Sequence, residues 1–109
     1  MCKHLKQDYS LSLQILCQNE IYMKKYPCVL SIAGSDCSGG AGIQADLKTI
    51  SALGGYAATA ITAITVQNTL GVRAIHPVPP VYVRGQIEAV MEDIRPDAVK
   101  LGMINDVEI

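Results

Sequence analysis

Apolar and polar residues follow two spacings along the chain, one typical of buried strands and one typical of helices. Short apolar runs lie at 28–33, 56–66, 72–76 and 97–102 and are bounded by glycine, proline or polar residues, which predicts four strands. Between them, apolar residues recur every three or four positions, which predicts two amphipathic helices. Their apolar faces would be Ile43, Leu47, Ile50 and Leu53 in the first helix and Val83, Ile87, Val90 and Ile94 in the second.

Strands that alternate with helices predict an α/β fold with parallel βαβ units. The chain of 109 residues has the size of one domain. Residues 67–71 are predicted to form a turn. Residues 1–26 lack glycine and a clear helix cap, so we predict that they form an N-terminal extension outside the fold and that residues 27–109 form the domain.

Composition excludes several classes of partner. Lys and Arg number 9 against 10 Asp and Glu, without a basic cluster, which argues against nucleic-acid binding and against attraction to an anionic membrane. No apolar run approaches the ~20 residues of a membrane span. The four cysteines form no C-x-x-C pair and only two histidines accompany them, which favours free thiols in the cytoplasm over disulfides or a metal site.

A glycine-rich turn, residues 34–42, joins the first strand to the first helix. Glycines let the backbone approach a ligand, and a helix N-terminus presents N–H groups to an anion. The turn lacks the Gly-Lys-Ser/Thr ending of a phosphate-binding loop and the glycine spacing of a dinucleotide site. From these residues alone, a ligand site and a simple tight turn are equally compatible with the sequence.

Several residues follow the predicted strand ends, where ligands bind in open α/β sheets. Gln67 offers one acceptor and two donors, enough to read the edge of a heterocycle, but it could also cap a turn. Asp46 could face the same crevice or simply complement the charge of the helix N-terminus. The residues that follow strand ends are Ser35, Asp36, Gln67, Asn68 and Met103.

Five segments together resemble the hydroxymethylpyrimidine/phosphomethylpyrimidine kinase family, within the ribokinase-like fold. The resemblance covers about residues 27–109, and its longest motif is Ser-Gly-Gly-Ala-Gly-Ile-Gln-Ala-Asp-Leu-Lys-Thr. It implies a three-layer α/β/α fold around a mostly parallel sheet. The segments that carry it are 29–36, 38–49, 60–63, 67–72 and 99–103.

The resemblance also implies an activity, the ATP-dependent phosphorylation of 4-amino-5-hydroxymethyl-2-methylpyrimidine and of its monophosphate in thiamine biosynthesis. Carried over by position, Gln67 would read the pyrimidine edge and Asp46 would be a polar partner on its other side. Gly34 and Ala41 would make close backbone contacts, and Met103 would form an apolar wall.

Family members extend well past the position of Ile109, and that part holds the catalytic base and the groups that bind ATP and Mg²⁺. We therefore expect the chain to be truncated after about four strands, to carry the pyrimidine-binding part, and to be inactive alone. Catalytic residues and metal ligands are not assigned. A homodimer is an open expectation for the full-length enzyme. The alternatives are a non-catalytic pyrimidine-binding fragment or pseudoenzyme, and a pyridoxal-type vitamin kinase.

Overall fold

A computed structural model describes residues 26–104 and 107–109, so the predicted extension lies, apart from Tyr26, outside the described residues. The described part holds five strands and two helices. In chain order they are β1 (Cys28–Ala33), α1 (Gly42–Ala52), β2 (Tyr56–Ile61), β3 (Ala63–Asn68), β4 (Gly71–Pro77), α2 (Pro80–Asp93) and β5 (Ala98–Leu101).

The main sheet has three parallel strands in the order β2-β1-β5. β1 is the central strand, with Cys28 opposite Tyr56 on one side and Val29 opposite Ala98 on the other. Parallel neighbours need a crossover connection, and α1 supplies one between β1 and β2. The predicted α/β class with a mostly parallel sheet is confirmed.

The two helices pack on opposite faces of this sheet. On one face of the sheet lies a cluster of Cys28, Leu30, Ile32, Ala58 and Ala60. It packs against three residues of the apolar face predicted for the second helix: Ile87, Val90 and Ile94. Side chains alternate along a strand, so Ser31 points to the other face, where it bonds Asp46 of α1. The result is the three-layer α/β/α arrangement that the resemblance implied.

The first helix is one residue shorter than its predicted apolar face. Ile43 is buried, but Leu53 is 83% exposed, so its place on the buried face was wrong. The helix ends at Ala52, and Gly54 then takes a positive φ of 82° that turns the chain away. Neither helix in the described part is long and apolar enough to span a membrane.

The single strand predicted over 56–66 is instead two strands that separate at Thr62. The buried Thr62 donates its N–H to the Ala33 carbonyl, and its own carbonyl accepts from Val78. Its hydroxyl also donates to the Met103 carbonyl at 2.8 Å. These bonds hold Thr62 between β2 and β3, and the chain leaves the parallel sheet there.

The predicted turn over 67–71 is also wrong in extent. Gln67 and Asn68 are the last residues of β3, which pairs antiparallel with β4, and only Thr69 and Leu70 make the reversal. The Asn68 side chain accepts the Leu70 N–H at 2.9 Å, a common way to stabilise a short turn. β3 and β4 thus form a separate two-stranded sheet, and every residue of β4 is exposed.

Candidate functional site

The glycine-rich turn lies along β3 and is bonded to it at Ser35. The Ser35 N–H donates to the Ala63 carbonyl at 2.8 Å, and the Ser35 carbonyl accepts the Thr65 hydroxyl at 2.6 Å. The Thr65 N–H donates to the Ser35 hydroxyl at 3.1 Å. The turn after β1 and the hairpin strand β3 are therefore held side by side at the carboxyl end of the sheet.

The buried carboxylate of Asp36 satisfies the N–H groups of this turn. Its Oδ1 accepts from the N–H and the hydroxyl of Ser38, at 2.9 and 2.7 Å. Its Oδ2 accepts from the N–H groups of Gly40 at 3.0 Å and Ala41 at 2.7 Å, just before α1. The donors that could have faced an external anion thus bind a side chain of the same turn.

Hydrogen bonds hold the pKa of Asp36 below its usual range. The Ser38 hydroxyl has the largest effect; burial opposes it, and the Gln67 side chain and the backbone of Ser38 and Ala41 add to it. The Gln67 amide therefore lies close to the Asp36 carboxylate.

Close backbone contacts seat α1 on the end of β1. Gly42 has a φ of 58°, and a Cβ at this position would lie 2.4 Å from the Gly34 carbonyl oxygen. The Ile43 N–H donates to that same oxygen at 3.0 Å. A Cβ on Gly34 would lie 2.7 Å from the Met103 methyl carbon, so Gly34 and Met103 are in contact.

Four of the five predicted site residues gather around this turn. Gly34 contacts Met103, Ala41 bonds Asp36, and Gln67 reaches the same carboxylate. Cys37 fixes the Gln67 backbone: its thiol donates to the Gln67 carbonyl at 3.0 Å and accepts the Gln67 N–H at 3.4 Å.

Asp46, the fifth predicted residue, faces the sheet under α1. Its Oδ2 accepts both the Ser31 hydroxyl at 2.6 Å and the Lys100 ammonium at 2.8 Å. Burial would raise the pKa of Asp46, but the hydrogen bonds from Lys100 and Ser31 and the charge of Lys100 outweigh it. The pKa of Asp46 is therefore lowered.

Sequence reasoning missed Lys100, Ser31 and Cys37 as parts of the site. The signal for the first two was a polar residue inside an otherwise apolar strand, which suggests a buried or half-buried partner. Cys37 gave no such signal, because its contacts with Gln67 depend on how the turn lies along β3.

The potential metal ligands among the described residues, their acidic, His and Cys side chains, are dispersed. Within residues 26–104 and 107–109, no group of three or more His, Cys, Asp or Glu side chains is placed to hold a metal ion. The glycine turn, the nearest feature to a phosphate site, is bonded to Asp36. We therefore assign no described residue to ATP or Mg²⁺.

The glycine-rich turn, the parallel strands and the helices on both faces of the sheet match the ribokinase-like fold. A sequence model described as phosphomethylpyrimidine kinase matches residues 36–109, and the chain belongs to this family. The hydroxymethylpyrimidine/phosphomethylpyrimidine kinase of Mycobacterium tuberculosis is 63% identical over 78 residues. Those residues are 72% of this chain and 28% of the relative.

Solved structures agree with this assignment. Phosphomethylpyrimidine kinase from Clostridium difficile superposes with a TM-score of 0.71 at 59% identity, over 73% of this chain and 35% of that one. Pyridoxal kinase from Staphylococcus aureus, solved with AMP-PCP, gives a TM-score of 0.68 at 42% identity, over 74% of this chain and 30% of that one. The chain thus spans about a third of the length of these relatives.

Proposed function

We propose that the described residues form the pyrimidine-binding part of a kinase that phosphorylates 4-amino-5-hydroxymethyl-2-methylpyrimidine and then its monophosphate, in thiamine biosynthesis. The observation that carries the proposal is the position of Gln67 at the turn where Gly34 and Met103 meet, in a chain of this family.

The hydrogen-bonding groups of the Gln67 amide suit this substrate. Its side-chain carbonyl oxygen can accept a hydrogen bond and its NH2 group can donate one. An aminopyrimidine presents the complementary pair, an amino donor next to a ring-nitrogen acceptor. Met103, 43% exposed, and the backbone at Gly34 and Ala41 would supply the apolar wall and the close contacts, with Asp46 as a polar partner.

Pyridoxal is the competing substrate, because a pyridoxal kinase is among the similar structures. Its ring nitrogen is flanked by a methyl group and a C–H, so it does not present an amino donor beside that nitrogen. Gln67 could then make only one of its two hydrogen bonds. This difference favours the pyrimidine.

Calorimetry on the 109-residue chain with each compound tests the proposal. We expect the pyrimidine to bind more tightly than pyridoxal, and Gln67→Ala to weaken pyrimidine binding by roughly 1–3 kcal/mol, because two buried hydrogen bonds are lost. Asn68→Ala is the matched control: this neighbouring amide bonds the Leu70 N–H within the turn, so its loss should leave affinity unchanged.

Two results would contradict the proposal. One is a folded chain that binds neither compound. The other is an equal loss of affinity in Gln67→Ala and Asn68→Ala, which would assign Gln67 to the structure of the hairpin. We expect binding without phosphoryl transfer in this chain, with ATP and Mg²⁺ held by groups that the described residues do not supply. The free thiols of Cys28 and Cys37 support a cytoplasmic location.

A further inference from the structure

We propose that Lys100 is a positioning residue for substrate binding: it holds the carboxylate of Asp46 in one orientation, with Oδ2 engaged and Oδ1 available to the ligand. This inference rests on the proposed function, in which Asp46 is a polar partner of the pyrimidine. Both hydrogen bonds to Asp46 reach Oδ2, and no described residue donates to Oδ1.

The network joins three elements of the fold. Ser31 of β1 and Lys100 of β5 are partners in the parallel register, so their side chains leave the same face of the sheet. α1 covers that face and places Asp46 above both of them, at 2.6 and 2.8 Å. The bonds from Ser31 and Lys100 thereby join α1 to the two strands whose ends form the site.

Lys100 also reaches the edge of the sheet where the site lies. A Cβ on Gly102 would lie 3.2 Å from the Lys100 nitrogen, and Gly102 directly precedes Met103. The Lys100 side chain is 46% exposed against 18% for Asp46, so the cation lies at the opening of the network and the carboxylate within it. A ligand beside Met103 would therefore lie near this pair.

Among the described residues, Lys100 is the cation that pairs with Asp46. Lys48, on α1 itself, donates to the Gly39 carbonyl. Asp36, in the turn, is engaged by Ser38 and the start of α1. The only titratable residues of β1 and β2 are Cys28 and Tyr56. Both lie with the cluster on the α2 side, so these strands bring no charged residue to the face that Asp46 covers.

The first test follows the titration of Asp46 by carboxyl carbon NMR, without ligand. Lys100→Met should raise the pKa of Asp46, because burial then acts without an opposing cation. Lys100→Arg should restore the low pKa. Lys48→Met is the matched control, because it replaces a lysine on α1, the helix that carries Asp46. It should leave the pKa of Asp46 unchanged. An unchanged Asp46 titration in Lys100→Met would overturn the proposal.

The second test measures pyrimidine affinity by calorimetry from about pH 4 to about pH 7.5. An ionised Asp46 accepts a stronger, charge-assisted hydrogen bond than the neutral acid, so affinity falls as pH falls through its pKa. In the unaltered chain the pKa of Asp46 is lowered, so this fall lies below the measured range and affinity should be nearly constant across it. The raised pKa in Lys100→Met should bring the fall into the range, and Lys100→Arg should remove it again. At neutral pH we expect a further loss of about tenfold from the lost orientation.

The two tests separate the failure of this inference from failure of the proposed function. A purely structural role of Lys100 would lower affinity equally at every pH, without bringing a fall in affinity into the measured range, and that result would overturn the positioning role alone. If the unaltered chain binds no pyrimidine at any pH, the proposed function is wrong, and Lys100 then has no substrate to position.

Discussion

The strand–turn–helix segment, residues 28–52, and the hairpin, residues 63–77, meet at the candidate site but are stabilised differently. In the first, Leu30 and Ser31 are fully buried and the Asp36 carboxylate accepts four hydrogen bonds. In the second, Ile64 and Val66 are about half exposed, and all of β4 is exposed. One side of the candidate site is formed by a segment of the core, and the other side by an exposed two-stranded hairpin.

The difference shows how Gln67 is held in place. Gln67 lies on the exposed hairpin, yet its backbone bonds Cys37 and its side chain lies close to Asp36, both in the other segment. Bonds from Thr65 to Ser35 add to this attachment. Within the hairpin, β3 is thus held against the turn, whereas the outer strand, β4, can tolerate substitutions.

The largest expected effect comes from Gly42→Ala in the strand–turn–helix segment. The positive φ and the Cβ clash with the Gly34 carbonyl should together cost about 3 kcal/mol of the free energy of unfolding, measured by urea denaturation. Gly40→Ala is the control, because its Cβ would lie 3.7 Å from the nearest Asp36 oxygen, an ordinary contact. If Gly42→Ala lowers the free energy of unfolding no more than Gly40→Ala does, the turn is flexible enough to absorb a side chain.

A smaller effect is expected from Asp36→Asn, and it should depend on pH. The folded-state pKa of Asp36 is lowered, so its stabilisation is present above the unfolded value of about 3.9 and is lost as pH falls through the folded value. Asp36→Asn should lower the melting temperature at pH 7 and weaken its fall on acidification. Glu92→Gln, an exposed change on α2, should do neither; an unaltered acid profile in Asp36→Asn would contradict this account.

The smallest effect should come from one substitution made in both regions. Ile32→Val removes a methylene from the core and should cost about 1 kcal/mol. Ile64→Val in the hairpin should cost less than about 0.5 kcal/mol, because Ile64 is 52% exposed. Denaturation curves for the two variants give the comparison directly, and a larger loss at Ile64 would mean that the hairpin is covered in solution.

The sequence predicted the parallel core well, because strong local patterns set it. The apolar run of β1 and the spacing of Val83, Ile87, Val90 and Ile94 each require one kind of element, and the structure confirms both. The break at Thr62 was missed because 56–66 is uniformly β-prone. What separates its two strands is the pairing of Thr62 with Ala33, Val78 and Met103, which local composition does not encode.

For the site, strand ends predicted the neighbourhood but not the contacts. In the structure Gln67 and Met103 lie near the turn, and Gln67 arrives there on an antiparallel strand. The pairing of Asp46 with Lys100 spans 54 positions of the chain. Such a pair depends on tertiary packing, and a single sequence carries it only as a lysine inside an apolar strand.

The strand order has a consequence for the order of folding during synthesis. β1 is central, and one of its two neighbours is β5. The Cys28 N–H at the start of β1 bonds Asp97, which lies 69 residues further along the chain, just before β5. At roughly 5–20 residues per second, several seconds pass before β5 is made. During that time one edge of β1 presents unpaired N–H and C=O groups, which can pair with other chains. The nascent protein therefore carries an aggregation-prone strand edge until β5 emerges.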